Sequence, residues 1–320
     1  MKWVRKGKVF DPTRHRLPNG CTEFAQSPQA LVFSDFVRVY FSTRVRDAAG
    51  AMYLSHVAYV DFDTDFNTIL GVSANPVIAL GTLGTFDEHG IFPFNPLRHG
   101  DTIMAFTCGW SRRSSVPIET SIGVAYSYDA GETFRKLGDG PILTSSLREP
   151  VLVGDPFVQV FDDCYHMWYI YGTQWMESNG TEPPARVYKI AHATSADGIH
   201  WNKEEGRQII QDKLNSNECQ ALPTVTRIGS RYHMYFCYRE ATDFRKNPAR
   251  GYRLGYAHSD DFTNWTRDDS ASGLNVAEGD WDSDMMCYPH LLHCDNKVYL
   301  LYNGNEFGKF GFGLAALDGQ

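Results

Sequence analysis

The order of apolar and polar positions along the chain repeats five times. Each copy opens on an Xaa-Pro pair, runs through a largely apolar stretch, breaks at a short polar turn and resumes as a strand-like alternation. Ser27-Pro28 leads through 30–33 and Ser34-Asp35 to 37–42, and Phe92-Pro93 leads through 94–97 and His99-Gly100-Asp101 to 102–107. Asp155-Pro156 leads through 157–161 and Asp162-Asp163 to 165–171, and Leu222-Pro223 through 224–228 and Gly229-Ser230 to 232–238. The fifth copy runs from Tyr288-Pro289 through 290–293 and Asp295-Asn296 to 298–302. The second is the least regular, because Asn95 and Pro96 interrupt its apolar stretch. Polar dipeptides between alternating apolar runs are hairpin signals, so each copy predicts two antiparallel strands. The proline is expected at the first residue of its strand, where a missing N–H costs no ladder bond.

A second pattern follows three of the hairpins. Residues 121–128 run into Asp129-Ala130-Gly131-Glu132-Thr133-Phe134, residues 188–195 into Ala196-Asp197-Gly198-Ile199-His200-Trp201, and residues 253–259 into Asp260-Asp261-Phe262-Thr263-Asn264-Trp265. This reads as a third strand, a turn, and a fourth strand opened by an aromatic residue. Aspartate caps backbone N–H groups in such turns and glycine accepts positive φ. Four antiparallel strands per repeat is the blade of a β-propeller. The last copy ends after its third strand, 311–317. The N-terminal Lys2-Trp3-Val4-Arg5 reads like Asn264-Trp265-Thr266-Arg267 and is expected to supply the missing fourth strand. That closure removes exposed sheet edges. The expectation is an all-β, five-bladed propeller, a single domain over residues 1–320, with the ring closed by the N-terminal strand. Each further blade would need about 40 residues that the chain lacks. Polar loops at 173–185 and 240–250 are expected between blades, rimming the mouth of a central cavity.

Composition narrows the partners. Tyr, Phe and Trp make up 14% of the chain, which suits strands and also suits stacking on sugar rings. A net charge of −8 disfavours a phosphate backbone as partner, so no nucleic acid is expected. No apolar stretch is long enough to span a membrane. The basic start lacks a following apolar region, which reads as a cytoplasmic protein. Seven cysteines without a CxxC pair argue against a structural zinc site and a disulfide framework. No cofactor is implied, since no glycine-rich phosphate loop appears. Asn179-Gly180-Thr181 and Asn264-Trp265-Thr266 fit the N-glycosylation pattern formally.

Several stretches resemble the five-bladed glycosidase superfamily, especially glycoside hydrolase families 43, 32 and 68. Asp155-Pro156 in Gly-Asp-Pro-Phe-Val resembles that superfamily's third-blade Asp-Pro motif, and Glu218-Cys219 its acid motif. Ser127 through Phe134 is similar to the Asp-box of sialidases, a turn device that speaks for the fold. Gly109-Trp110 through Pro117 with 122–125, and 302–305 with 311–315, resemble uncharacterised family-43-like proteins of bacterial polysaccharide clusters. The resemblance covers nearly the whole chain and implies a carbohydrate partner.

Glycoside hydrolysis needs two carboxyl groups flanking the scissile bond. The resemblance implies Glu218 as general acid, with Asp155 raising its pKa as a like-charged neighbour and orienting the substrate. The ordinary structural roles are a solvated loop carboxylate and a turn aspartate. The superfamily's blade-one aspartate is absent, since the stretch reads Glu23-Phe24-Ala25-Gln26-Ser27-Pro28. Asp87, beside Glu88, is the preferred substitute base and Glu23 the other. First strands of all blades converge on the axis, so Gln26, Ser27, Tyr288 and His290 are candidate substrate contacts. His290 could instead be a hydrogen-bonded structural residue, and Asp282 and Asp284 lie near it without regular metal spacing. Arg239 could grip a sugar hydroxyl, carboxylate or phosphate, or pair outward with Glu240. Trp110 and Trp175, with Trp281, could form stacking platforms.

Three functions follow: a glycosidase-like enzyme acting on a furanose or related sugar, a sugar transferase or phosphorylase-like enzyme of surface-polysaccharide assembly, and a carbohydrate-binding propeller without catalysis. Carboxylates about 5–10 Å apart would keep hydrolysis open. An isolated carboxylate points to binding or another reaction, and a ring of Arg and His to phosphate or nucleotide-sugar chemistry.

Overall fold

The hairpin signals become strands. In the computed structural model, which describes residues 1–50, 52–177 and 182–319, nearly all regular structure is antiparallel β, with only short helical turns. The pattern at Asn179-Gly180-Thr181 lies outside the described residues. No helix among the described residues is long and apolar enough to cross a membrane. All seven cysteines are free.

The strands fall into five four-stranded units. Strand β1 (Trp3–Phe10) comes first in the chain. Unit one contains β2 (Glu23–Val32), β3 (Val37–Arg46), β4 (Tyr53–Phe62) and β5 (Ile69–Val72). Unit two contains β6 (Gly90–His99), β7 (Thr102–Arg112), β8 (Ile118–Ser127) and β9 (Arg135–Lys136). Unit three contains β10 (Val153–Phe161), β11 (Cys164–Met176), β12 (Ala185–Ser195) and β13 (Asn202–Lys203). Unit four contains β14 (Cys219–Ile228), β15 (Arg231–Arg239), β16 (Arg253–Ser259) and β17 (Thr266–Arg267). Unit five contains β18 (Cys287–Cys294), β19 (Lys297–Asn303) and β20 (Phe312–Leu317), and β1 pairs antiparallel with β20 as its fourth strand. A single bridge, Ser55 to Gly90, joins units one and two.

The turns before the fourth strands are built as their sequences require. Ser127, Ser195 and Ser259 hydroxyls donate to Asp129, Asp197 and Asp261 at 2.8, 3.0 and 3.2 Å. Each aspartate then accepts backbone N–H groups two to four residues onward. These carboxylates are consumed by turn formation.

Two expectations are corrected. The Xaa-Pro pairs lie within the first strands, not at their starts, and mark a break in pairing register in all five units. Ser27, Asp155, Leu222 and Tyr288 have φ of 53°, 49°, 48° and 55°. Proline removes a ladder donor, so the partner strand skips this position and a bulge re-aims the preceding side chain. Left-handed backbone at a non-glycine residue costs about 1–2 kcal/mol, and such strain collects at functional sites. The stretches 173–185 and 240–250 lie between second and third strands of units three and four, rather than between units; residues 173–176 belong to β11, Ala185 opens β12, and 178–181 lie outside the described residues.

The first strands are tied in a cycle by side chains. Asn95 donates to the Gln29 carbonyl at 3.2 Å and accepts from the Val158 N–H at 2.8 Å. Asp155 accepts from the Leu222 N–H at 3.3 Å, Thr224 from Leu291 N–H at 3.0 Å, and His290 from Ala30 N–H at 2.9 Å. The apolar core is divided the same way. Separate clusters fill the contacts between units one and two, two and three, three and four, four and five, and five and one.

Trp3 anchors β1. It is buried between units four and five, and its indole N–H reaches the Tyr235 hydroxyl at 2.8 Å and the Ser272 carbonyl at 3.1 Å. Trp3→Ala should lower stability by about 3–5 kcal/mol through the lost burial and the cavity left behind. Urea unfolding followed by fluorescence reads this directly, and a change below about 1 kcal/mol would show that β1 is dispensable.

Candidate active site: a cationic cavity lined by all five units

A cavity of about 730 Å³ opens where the units meet, and every unit contributes to its lining. This size accommodates a small sugar ligand. Gln26, Phe92, Asp155 and Tyr288 reach it from first strands, at or beside the Xaa-Pro bulges, and Arg44, Arg112 and Arg239 from second strands. The loop after β15 contributes Phe244 and Arg245, and the segment after β19 contributes Glu306, Phe307 and Lys309.

Asp155 is the one buried carboxyl in the lining among the described residues. Its carboxylate accepts the Leu222 N–H at 3.3 Å. Burial pushes its pKa up to about 7, while the Leu222 N–H and the charge of Arg186 pull weakly the other way. A carboxyl poised there can hold a proton at neutral pH and release it to a reacting oxygen. The second lining carboxylate, Glu306, sits at the mouth with its side chain 59% exposed, 3.6 Å from the Lys309 ammonium. Glu306 and the adjacent Phe307 have φ of 53° and 58°.

The rest of the charge is positive. Arg112 pairs with Asp47 at 3.2 Å, and Lys309 has Glu23 and Glu306 nearby. Arg44, Arg186, Arg239 and Arg245 line the cavity with no carboxylate at ion-pair distance among the described residues. Arg239 is buried, donates to the Tyr188 hydroxyl at 2.7 Å and packs 3.6 Å from the Phe244 ring centre. Arg245 lies 4.4 Å from the same ring. Loss of hydration, then the charges of Arg239 and Arg186, hold the Arg245 guanidinium below its usual pKa. Arg44 is lowered by loss of hydration and, more weakly, by Arg245. Burial keeps the hydroxyls of Tyr188 and Tyr252 protonated, and they meet at 2.7 Å.

The structure brings together Asp155, Gln26, Trp110, Arg239 and Tyr288 and leaves the other candidates outside the lining. Glu218, expected as general acid, is buried away from the cavity. Its Oε2 accepts the N–H groups of Lys213 and Leu214, both at 2.9 Å, and its Oε1 accepts Gln220 at 3.0 Å and Arg267 at 2.6 Å. Every lone pair in that plane is taken, so it organises the 211–218 loop. Asp87, expected as base, is also buried outside the cavity, ion-paired with Lys136. Ser27 is buried, with its N–H on Asn303 at 2.8 Å. Trp175 has the Arg186 guanidinium 5.9 Å from its ring centre and is outside the lining, whereas Trp110 lines the cavity and stacks on His89.

His290 is a link in the first-strand cycle and not a wall of the cavity; burial lowers its pKa to about 3, so it is neutral. Asp282 is buried with Arg5 and the Tyr302 hydroxyl, and no cluster of three metal-ligating side chains occurs among the described residues. Arg239 points inward, while Glu240 pairs with Arg250 at 3.5 Å. Gln26 donates to the Phe307 carbonyl at 2.7 Å, and its Oε1 is buried without a partner.

Sequence reading missed Arg44, Arg186, Arg245 and Tyr252. A signal existed for one of them: Arg44, Arg112 and Arg239 recur at or near the ends of the second strands of units one, two and four. Aligning the repeats by that strand would have set them side by side.

No family model matches the chain. Among solved structures, the fold is similar to one described as a glycoside hydrolase, with a TM-score of 0.73, 15% identity, and 99% of this chain and 93% of that one covered. It is similar to a thermostable family-43 glycoside hydrolase at a TM-score of 0.66 and 12% identity, covering 94% and 92%. It also matches the β-1,2-mannobiose phosphorylase of Listeria innocua at a TM-score of 0.67 and 12% identity, covering 99% and 96%. These likenesses show the all-β fold that the chain shares with these structures. In sequence, the uncharacterized protein MT1551 of Mycobacterium tuberculosis is 32% identical over 323 residues, 99% of this chain and all of that protein, and Rv1502 of a second strain matches equally. The chain belongs to the family of these mycobacterial proteins.

Proposed function

We propose that the chain is a carbohydrate-active enzyme, a single-domain, closed five-bladed propeller whose cavity makes or breaks a glycosidic bond with Asp155 as its proton donor. The observation that carries this is the placement of one buried carboxyl, with a pKa near 7, among sugar-sized polar and aromatic walls. The cyclic bonds among first strands and the β1–β20 pairing support the closed ring. Similarity to glycoside hydrolases and to a phosphorylase supports the substrate class.

Among the described residues the lining holds no second buried carboxylate, which weighs against hydrolysis by a flanking pair and favours transfer to a nucleophile that the protein does not supply. In that reaction the leaving oxygen takes the Asp155 proton as its bond to the anomeric carbon breaks. The incoming oxygen bonds to that carbon and gives up its proton to solvent, from which Asp155 is reprotonated. Trp110 offers a face for a sugar ring. Glu306 is the one lining group that could complete a pair. Glu306→Gln should therefore leave turnover of aryl glycosides within about tenfold of wild type, as expected for an exposed carboxylate beside a lysine. Loss of about a hundredfold or more would instead make Glu306 the second catalytic carboxylate and the reaction ordinary hydrolysis.

A further inference from the structure

Four arginines of the cavity, Arg44, Arg186, Arg239 and Arg245, have no carboxylate at ion-pair distance among the described residues. Arg239 and Arg245 pack on the same Phe244 ring, at 3.6 and 4.4 Å from its centre, so two like charges are held close together. Arg239 spends its terminal nitrogens on the Glu240 and Ala241 carbonyls and the Tyr188 hydroxyl, and its Nε is buried without a partner. A buried cation with an open donor is costly unless something occupies it. Arg186 lines the same cavity and is near enough for its charge to act on Arg245. Arg44, also in the lining, has a buried, unpartnered Nε of its own.

We propose that Arg186, Arg239 and Arg245, with Arg44, form a binding site for a phosphate group brought into the cavity by the substrate or its co-reactant. This rests on reading the cavity as the carbohydrate site. Charge selects phosphate over a sugar carboxylate. A carboxylate brings one negative charge, whereas a phosphate monoester brings about 1.5 to 2 and three acceptor oxygens, against four guanidinium groups with no carboxylate at ion-pair distance among the described residues. Guanidinium forks match phosphate oxygens in pairs.

The phosphate has two sources. As inorganic phosphate it is the nucleophile: its oxygen bonds to the anomeric carbon, the glycosidic C–O bond breaks, and the leaving oxygen takes the Asp155 proton, giving a sugar 1-phosphate and a free alcohol. As a phosphate ester on the sugar it is a handle that orients the substrate.

The test is calorimetric titration of the full chain with inorganic phosphate, glucose 6-phosphate and glucuronate. At least one phosphate probe should bind, and Arg245→Gln should weaken it about tenfold or more. Arg239→Gln should do the same, but its burial makes folding a concern, and the exposed Arg245 keeps the test decisive. Inorganic phosphate binding together with sugar 1-phosphate formation from an aryl glycoside assigns the nucleophile. Hexose phosphate binding alone assigns the handle. Binding of neither phosphate probe at millimolar concentration, binding untouched by Arg245→Gln, or a preference for glucuronate overturns the proposal. Asp155→Asn should keep phosphate affinity. Intact phosphate binding alongside undiminished Asp155→Asn turnover would sink the acid reading and leave the phosphate site standing.

Discussion

Asp155→Asn should abolish turnover, with a loss of about 10²–10⁴-fold, the usual worth of a positioned general acid. The amide keeps the size of the side chain and cannot donate a proton in the same way. The pH profile follows from the same group. A proton donor with a pKa of about 7 is loaded below that pH, so wild-type activity should fall as pH rises through 7. Stability should follow suit. Asp155 binds its proton up to about pH 7 when folded but releases it near 3.8 when unfolded. Between those values the native state carries the extra proton, so this group's contribution declines as pH rises, and above about 7 the buried charge costs the fold about 4 kcal/mol. Asp155→Asn should therefore be more stable than wild type at pH 8, and the gap should close towards pH 4. A variant that is less stable at pH 8, with activity unchanged, would mean that Asp155 is an ordinary charged turn residue.

Glu218→Ala should lose about 3–5 kcal/mol of stability, because it strips a buried partner from Arg267 and orphans the N–H groups of Lys213 and Leu214. Its folded molecules should still turn over substrate. Chemical denaturation gives the first number, and activity corrected for the folded fraction gives the second. Near-native stability combined with lost activity would restore Glu218 to the reaction and contradict its position here.

The repeat was legible because strand alternation and turn chemistry are local. Polar dipeptides, the Ser-x-Asp turns and the Trp3 motif each act within a few residues, and each landed where the sequence placed it. The Xaa-Pro pairs were seen but misassigned to strand starts. A bulge depends on which partner residue is skipped, and that is decided across strands. Asp155 was a candidate because its Asp-Pro stretch resembles a superfamily motif, and Arg239 because it follows the second strand of its repeat; both line the cavity. Glu218 and Asp87 were attractive for their neighbours in sequence, yet their carboxylates are spent on Arg267 and Lys136, partners that only the folded chain brings near. Arg245 and Phe307 sit on irregular segments, where no period predicts direction. The charge of the cavity was hidden for a related reason. The chain is acidic overall at −8, and its unpaired arginines come from three different units.

The most direct test of the central claim is turnover of an aryl-glycoside panel, furanosides included, by wild type, Asp155→Asn and Glu218→Gln. Each is assayed in water alone, with phosphate and with sugar acceptors. The account predicts turnover by wild type and by folded Glu218→Gln, with none by Asp155→Asn. Turnover that survives in Asp155→Asn and is lost in Glu218→Gln, or wild type inert under all three conditions, would contradict it.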